Sequence, residues 1–150
     1  MKHYSKSNKQ NGVAAVEFAL LLPILLLLAF GVVEFGRFMY QYNSLAKAVR
    51  DSTRFLAATS PTLPGYSTYE AEALCLAVYA STACSGSPVA DGLTADNVNI
   101  AYSTVGTMSV VTVSIINYQA NFIEGYIPTI LGLGDGIGFG NISVSMRQVS

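Results

Sequence analysis

Side chains able to do chemistry are few in this chain, and most stand apart from one another. His3 is the single histidine in 150 residues. A Ser–His or Cys–His nucleophilic pair needs an imidazole base within hydrogen-bond reach, and His3 lies at the far N-terminal end. Cys75 and Cys84 are the only cysteines. Their spacing is not C-x-x-C and no histidine is near, which argues against a metal site or a redox motif. Asp91 and Asp96 could form a carboxylate pair, but loop acids of this kind ordinarily sit in solvent. Gly132, Gly134, Gly136, Gly138 and Gly140 alternate, yet lack the strand-then-helix context and downstream acid of a dinucleotide site. The run reads as a loop. The neighbouring Tyr126, Ile127, Ile130 and Leu131 leave an apolar interaction surface as the other reading. The inventory points away from an enzyme, a cofactor, a bound metal or a small-molecule substrate. What remains is Glu17, a lone carboxylate inside an apolar segment.

That segment, Val13 to Val33, reads VAAVEFALLLPILLLLAFGVV. As a helix it spans about 31 Å at ~1.5 Å per residue, matching a bilayer core of about 30 Å. It is apolar on all faces, whereas a helix in a soluble core shows a polar side. It also accounts for the composition: 11% of residues are charged and 51% hydrophobic, against roughly 25% charged in a soluble domain. A net charge of −1 argues against a nucleic-acid binder, whose domain carries a strong excess of basic residues. The apolar content excludes a disordered chain.

Lys2, Lys6 and Lys9 precede the segment with no acid among them, and Glu34 and Arg37 follow it. The positive-inside rule therefore expects a cytoplasmic N-terminus and an external C-terminal part. A cleaved secretory signal has an apolar stretch of about 7–15 residues and a small-x-small site. This stretch is longer, and Leu28-Ala29-Phe30-Gly31 offers no such site, so the segment reads as a retained anchor. Glu17 then has two readings. It snorkels to the headgroups, or it meets a cation of another chain, since no Lys, Arg or His lies between Lys9 and Arg37. An unpaired carboxylate in hydrocarbon would take up a proton.

Helical spacing continues through Phe35, Phe38, Tyr42, Leu45 and Val49. Pro61, Pro64 and Gly65 stop it, giving a first helix of about 13–58. Glu34 and Arg37 read as a solvated pair at the membrane exit, with Tyr40 and Tyr42 at the interface. Ser67-Thr68-Tyr69-Glu70 reads as a capping box opening a helix of about 68–81. Ala71, Leu74 and Val78 form its expected buried stripe. Period-two patterning marks strands at Val98-Ile100-Tyr102, within 108–118, and at Ile142-Val144-Met146. The expected fold class is α+β: a long N-terminal helix, then a small domain with one helix and a mainly antiparallel sheet. Outside the membrane, Cys75 and Cys84 fit a disulfide better than free thiols. On one continuous helix their Cα atoms would stand about 13.5 Å apart, too far to bridge. The bond therefore needs the helix to end near Ser81-Thr82.

Gly12-Val13-Ala14-Ala15-Val16-Glu17-Phe18-Ala19-Leu20, then Pro23, then Phe30-Gly31-Val32-Val33-Glu34-Phe35-Gly36-Arg37 resembles the N-terminus of TadE-like proteins. These are minor pilins, or pseudopilins, of the Tad (Flp) tight-adherence pilus. Leu45 to Arg54, small residues punctuated by arginines, and the tail ending Ser145-Met146-Arg147 are similar to the family as well. The resemblance implies cleavage by a prepilin peptidase between Gly12 and Val13, removing a basic leader of residues 1–12. It implies a transmembrane segment of about 13–33 and a pilin-like periplasmic domain of 59–150. It implies that Glu17, fifth in the mature chain, meets the N-terminal amine of a neighbouring subunit. A free α-amine has a pKa of about 7.7–8.0 and would lie about 6 Å along the helix axis from Glu17. The implied partners are the peptidase, other Tad pilus subunits, the inner-membrane assembly platform and the membrane. The implied location is the inner membrane, with a single pass. Arg50 and Arg54, four apart, are then either surface charge near a helix end or a docking surface for other pilus components. The alternative function is an anchored periplasmic adaptor that never enters a pilus.

Overall fold

A computed structural model describes residues 11–122 and 136–149. Its elements in chain order are α1 (Asn11–Ala57), α2 (Tyr66–Tyr79), β1 (Val98–Val105), β2 (Met108–Ile115), β3 (Gln119–Asn121), β4 (Gly136–Gly138) and β5 (Ile142–Arg147). The fold is α+β, as the pattern of periodicities predicts. The chain divides into two compact units, Met1–Gly36 and Arg37–Ser150.

In the first unit, the described part is a helix with exposed residues at every position from 12 to 33. Leu-rich sequence sustains the helix despite Pro23, which withholds one backbone donor from the carbonyl four residues earlier. Glu34 is 8% exposed, so its reading as a solvated exit residue is overturned.

In the second unit, α1 places Phe38, Gln41, Leu45, Ala48, Val49, Ser52, Thr53 and Leu56 on its buried side. These positions recur every three or four residues, as helical geometry requires. The expected stripe included Phe35 and Tyr42, but both are exposed. The buried line runs instead through Gln41, one residue and about 100° from Tyr42. Tyr42 flanks that line, its ring edge-on to Phe139 at 5.9 Å. The last turn of α1 tightens, with the Thr59 N–H donating to the Leu56 carbonyl at 3.1 Å, before the two prolines end it.

β2 is the central strand of an antiparallel sheet ordered β1-β2-β5. Val111, Val113 and Ile115 of β2 are fully buried or nearly so, and Val113 lies opposite both Ile100 and Val144. The β1–β2 turn places Gly106 at φ 64°, as a two-residue II′ hairpin needs at its first central residue. The sheet, α1 and α2 share one core, in which Leu45, Val49, Leu56, Ala73, Val78, Leu93 and the β2 residues meet.

A second sheet pairs β3 with β4. The loop reading of the glycine run is corrected here, because Gly136 to Gly138 form a strand; Gly132, Gly134, Tyr126, Ile127, Ile130 and Leu131 lie outside the described residues. A Cβ at Gly136 would stand 2.6 Å from the Ala120 carbonyl oxygen, so only glycine lets β4 approach β3 this closely. Replacing Gly136 with alanine is expected to cost about 1–3 kcal/mol, the usual range for overpacking. Chemical denaturation of the full chain in detergent measures it, and an unchanged midpoint would contradict the close approach.

The expected capping box is not formed. α2 starts at Tyr66 behind Gly65 at φ 76°, with no side-chain cap. Glu70 instead accepts a hydrogen bond from the Tyr102 hydroxyl at 2.7 Å. Its long-range partner on β1 outcompetes the local one. Ala71 is exposed, and the buried side of α2 is Ala73, Cys75, Ala77 and Val78.

Candidate functional site

The residues singled out for processing and assembly all stand in the first two turns of α1. Gly12 and Val13 are exposed, and Glu17 is exposed one turn later. A Cβ added at Gly12 would meet nothing within 4 Å. Nothing in the chain's own packing therefore requires glycine there. Among the described residues, Glu17 has no hydrogen-bond or ion-pair partner. It sits in a helix surface otherwise made of Val13, Val16, Phe18, Leu20 and Leu21, each more than half exposed. An apolar surface this continuous needs a cover. The helix is long and apolar enough to cross a membrane, and the hydrophobic window within it is 0% buried, which is consistent with a single-pass anchor.

The domain that follows is stapled and hydrogen-bonded. Cys75 and Cys84 form a disulfide, with Cα atoms 4.7 Å apart. α2 ends at Tyr79, where Ala80 adopts a left-handed conformation and its N–H donates to the Leu76 carbonyl at 3.0 Å. That reversal carries Cys84 back beside the helix, the geometry that a continuous helix would forbid. In the chain-entropy account, closing so short a loop stabilises by roughly 2.5–3 kcal/mol. Among the described residues no cluster of His, Cys, Asp or Glu could hold a metal ion. Asp91 and Asp96 are exposed, as loop acids.

Buried polar groups tie the C-terminus to both helices. Gln148 donates to the Tyr66 hydroxyl at 2.6 Å, and the Val149 N–H donates to the Ala57 carbonyl at 2.9 Å. Ser52 donates to the Ala73 carbonyl at 2.7 Å, joining α1 to α2. Burial, together with the adjacent Tyr66 and Glu70, holds the Tyr102 hydroxyl well above the usual phenol range. Tyr118 is raised too, first by burial and then by Asp91, with Arg37 opposing. Both tyrosines stay neutral and serve as donors, Tyr118 to the Asp91 carbonyl at 2.9 Å. Phe139 packs against Phe38, Tyr42 and Tyr118 with centroids 5.9–6.3 Å apart. Arg37 lies over the Phe38 ring at 4.8 Å and donates to the Asn121 carbonyl. These contacts build a fold and contain no nucleophile–base pair.

Among the described residues, the exposed N-terminal helix carries Gly12, Val13 and Glu17 at its start. No curated protein and no solved structure matches the chain. Residues 12–54, the span from Gly12 through the outer half of α1, match the family model of TadE-like protein, so this chain carries a TadE-like segment.

Proposed function

We propose that the protein is a membrane-anchored minor pilin, or pseudopilin, that acts in assembling or priming a Tad-type pilus for adhesion. The observation that carries this reading is the TadE-like match over residues 12–54 on a helix whose residues 12–33 are all exposed. TadE-like proteins are not an enzyme family, which agrees with the poor catalytic inventory. A prepilin peptidase removes residues 1–12 by cutting between Gly12 and Val13. Residues 13–33 remain as the transmembrane segment, and the domain beyond lies on the periplasmic side of the inner membrane. The Cys75–Cys84 disulfide suits an oxidising compartment.

Glu17 then acquires a role that chemistry supports. An unpartnered carboxylate within hydrocarbon costs about 2.5–3.5 kcal/mol at a helix centre, and less near its end. The α-amine released at Val13 of a neighbouring subunit is a cation at the same depth, and the two satisfy each other in a bundle. Other pilus subunits and the assembly platform are the partners.

Intact-mass spectrometry of the protein from cells with an active peptidase tests the processing step. The expected N-terminus is Val13. Retention of Met1 through Gly12 under those conditions would sink the reading.

A further inference from the structure

Between Arg54 and Arg147 the sequence contains no Lys, Arg or His, yet it holds Glu70, Glu72, Asp91, Asp96, Glu124 and Asp135. The cations outside the leader are Arg37, Lys47, Arg50 and Arg54, all on α1, and Arg147 at the end of β5. Within the second compact unit, charge is therefore segregated by element. Lys47, Arg50 and Arg54 follow one another at spacings of three and four, which lines them along one helix face. All three are exposed, opposite the buried Leu45, Ala48, Val49 and Ser52. One acid, Asp51, adjoins them and is also exposed. Among the described residues none of the three cations makes an ion pair within the chain.

Apart from Asp51, the described acids of this unit occupy other elements. Glu70 and Glu72 are on α2, and Asp96 is in the 3-10 turn Ala95–Asn97. α2 packs beside both that turn and β1. Asp91 lies a few residues before the turn and is exposed, as is Asp96. Glu70 already accepts the Tyr102 hydroxyl, which leaves, among the described acids outside α1, the half-buried Glu72 and the exposed Asp91 and Asp96 open to a partner.

We propose that the basic stripe of α1, Lys47, Arg50 and Arg54, docks on the acids of α2 and the adjoining 91–96 segment, Glu72, Asp91 and Asp96, of a second copy of this chain. Charge complementarity names that occupant, because one chain carries both sets, three cations with one adjoining acid on α1 and the acids Glu72, Asp91 and Asp96 on other elements. The two faces lie on different elements, so the contact is heterologous: each copy offers its stripe to one neighbour and its acids to another. Such contacts propagate into open arrays instead of closing as a two-fold dimer. Exposed charges of this kind steer and register partners, and are weakened by salt because screening sets in beyond about 10 Å at 0.1 M. The inference concerns a contact outside the anchor and stands without the pilin reading.

The chain supplies its own probe. Lys47 is the only lysine beyond Lys9. A carbodiimide, which joins an amine directly to a carboxylate, therefore reports Lys47 contacts and little else in the domain. Full-length protein in neutral detergent, half of it isotope-labelled, is treated with carbodiimide and digested. Amides are expected between Lys47 of one isotopic form and Glu72, Asp91 or Asp96 of the other, and Lys47→Arg should remove them without weakening association. Capture of an untagged copy by a tagged one is expected to fall about tenfold or more in K47E/R50E/R54E. It should return when that variant is mixed with E72K/D91K/D96K, a rescue that a misfolded variant would not show. Three results would overturn the contact: capture unchanged by the stripe reversal, Lys47 coupled only within its own chain, or a stripe effect confined to vesicles containing phosphatidylglycerol. A chain that is cut at Val13 yet shows no charge-dependent capture refutes this interface and leaves the pilin reading intact.

Discussion

Gly12→Leu is expected to leave the protein uncut, with residues 1–12 retained and the whole 15.9 kDa chain found in the membrane fraction. The argument separates folding from processing. A Cβ at Gly12 meets nothing within 4 Å, and leucine is a better helix former than glycine by roughly 0.8 kcal/mol. The variant should therefore be as stable as the parent. A protease, by contrast, must bring its own groups against the backbone on both sides of the scissile bond, and a glycine permits the closest approach. Mass spectrometry of parent and variant from the same cells reads the effect, with piliation scored alongside. Loss of both processing and piliation supports the pilin reading. Normal processing in the variant refutes the role of Gly12, and normal piliation with an uncut chain favours the adaptor.

The second large effect is expected at Leu45. Its side chain is fully buried where α1 meets the core. Leu45→Ala removes three carbons from that site and leaves a cavity, a change that costs about 2–5 kcal/mol. Small domains are stable by only about 5–15 kcal/mol. A loss of that size lowers the melting temperature of a domain near 100 residues by roughly 10–30 °C. Near-ultraviolet circular dichroism of the tyrosines follows it in detergent. Leu20→Ala is the control, since Leu20 is 72% exposed and its side chain contributes little to that core. Equal melting temperatures for the two variants would mean that α1 does not belong to the folded domain.

How legible this molecule is in its sequence depends on the length over which a pattern repeats. α1, α2, β1, β2 and β5 each repeat a period several times, and each lies close to where periodicity predicts it. β3 and β4 are three residues each, too short to display alternation, and β4 is written in glycine, which ordinarily marks a loop. Burial was harder to read than element type. Tyr42 outranks Gln41 in apolar character, yet Gln41 is buried, because the face of α1 is chosen by Leu45, Val49 and Leu56 together. Ser67 to Glu70 has the residues of a capping box, but Glu70 is claimed by Tyr102, thirty-two positions away, and no local rule anticipates that. Gly12 and Glu17 are legible in a different manner. Neither is held by a contact among the described residues; Glu17 is marked as the lone carboxylate of an apolar segment, and Gly12 only by its place in a family pattern.

The position of β5 has a consequence for how the molecule is made. β5 supplies the third strand of the main sheet from Ile142 to Arg147, well after β2 in the chain. Until those residues are synthesised, β2 has only β1 beside it, and one rim of Val111, Val113 and Ile115 has no strand to pair with. Two-stranded hairpins are marginal in water. The domain therefore cannot complete its sheet until Ile142 to Arg147 have emerged. For that interval its most apolar strand carries a free edge, which is the time when a nascent chain is most exposed to mispairing with its neighbours.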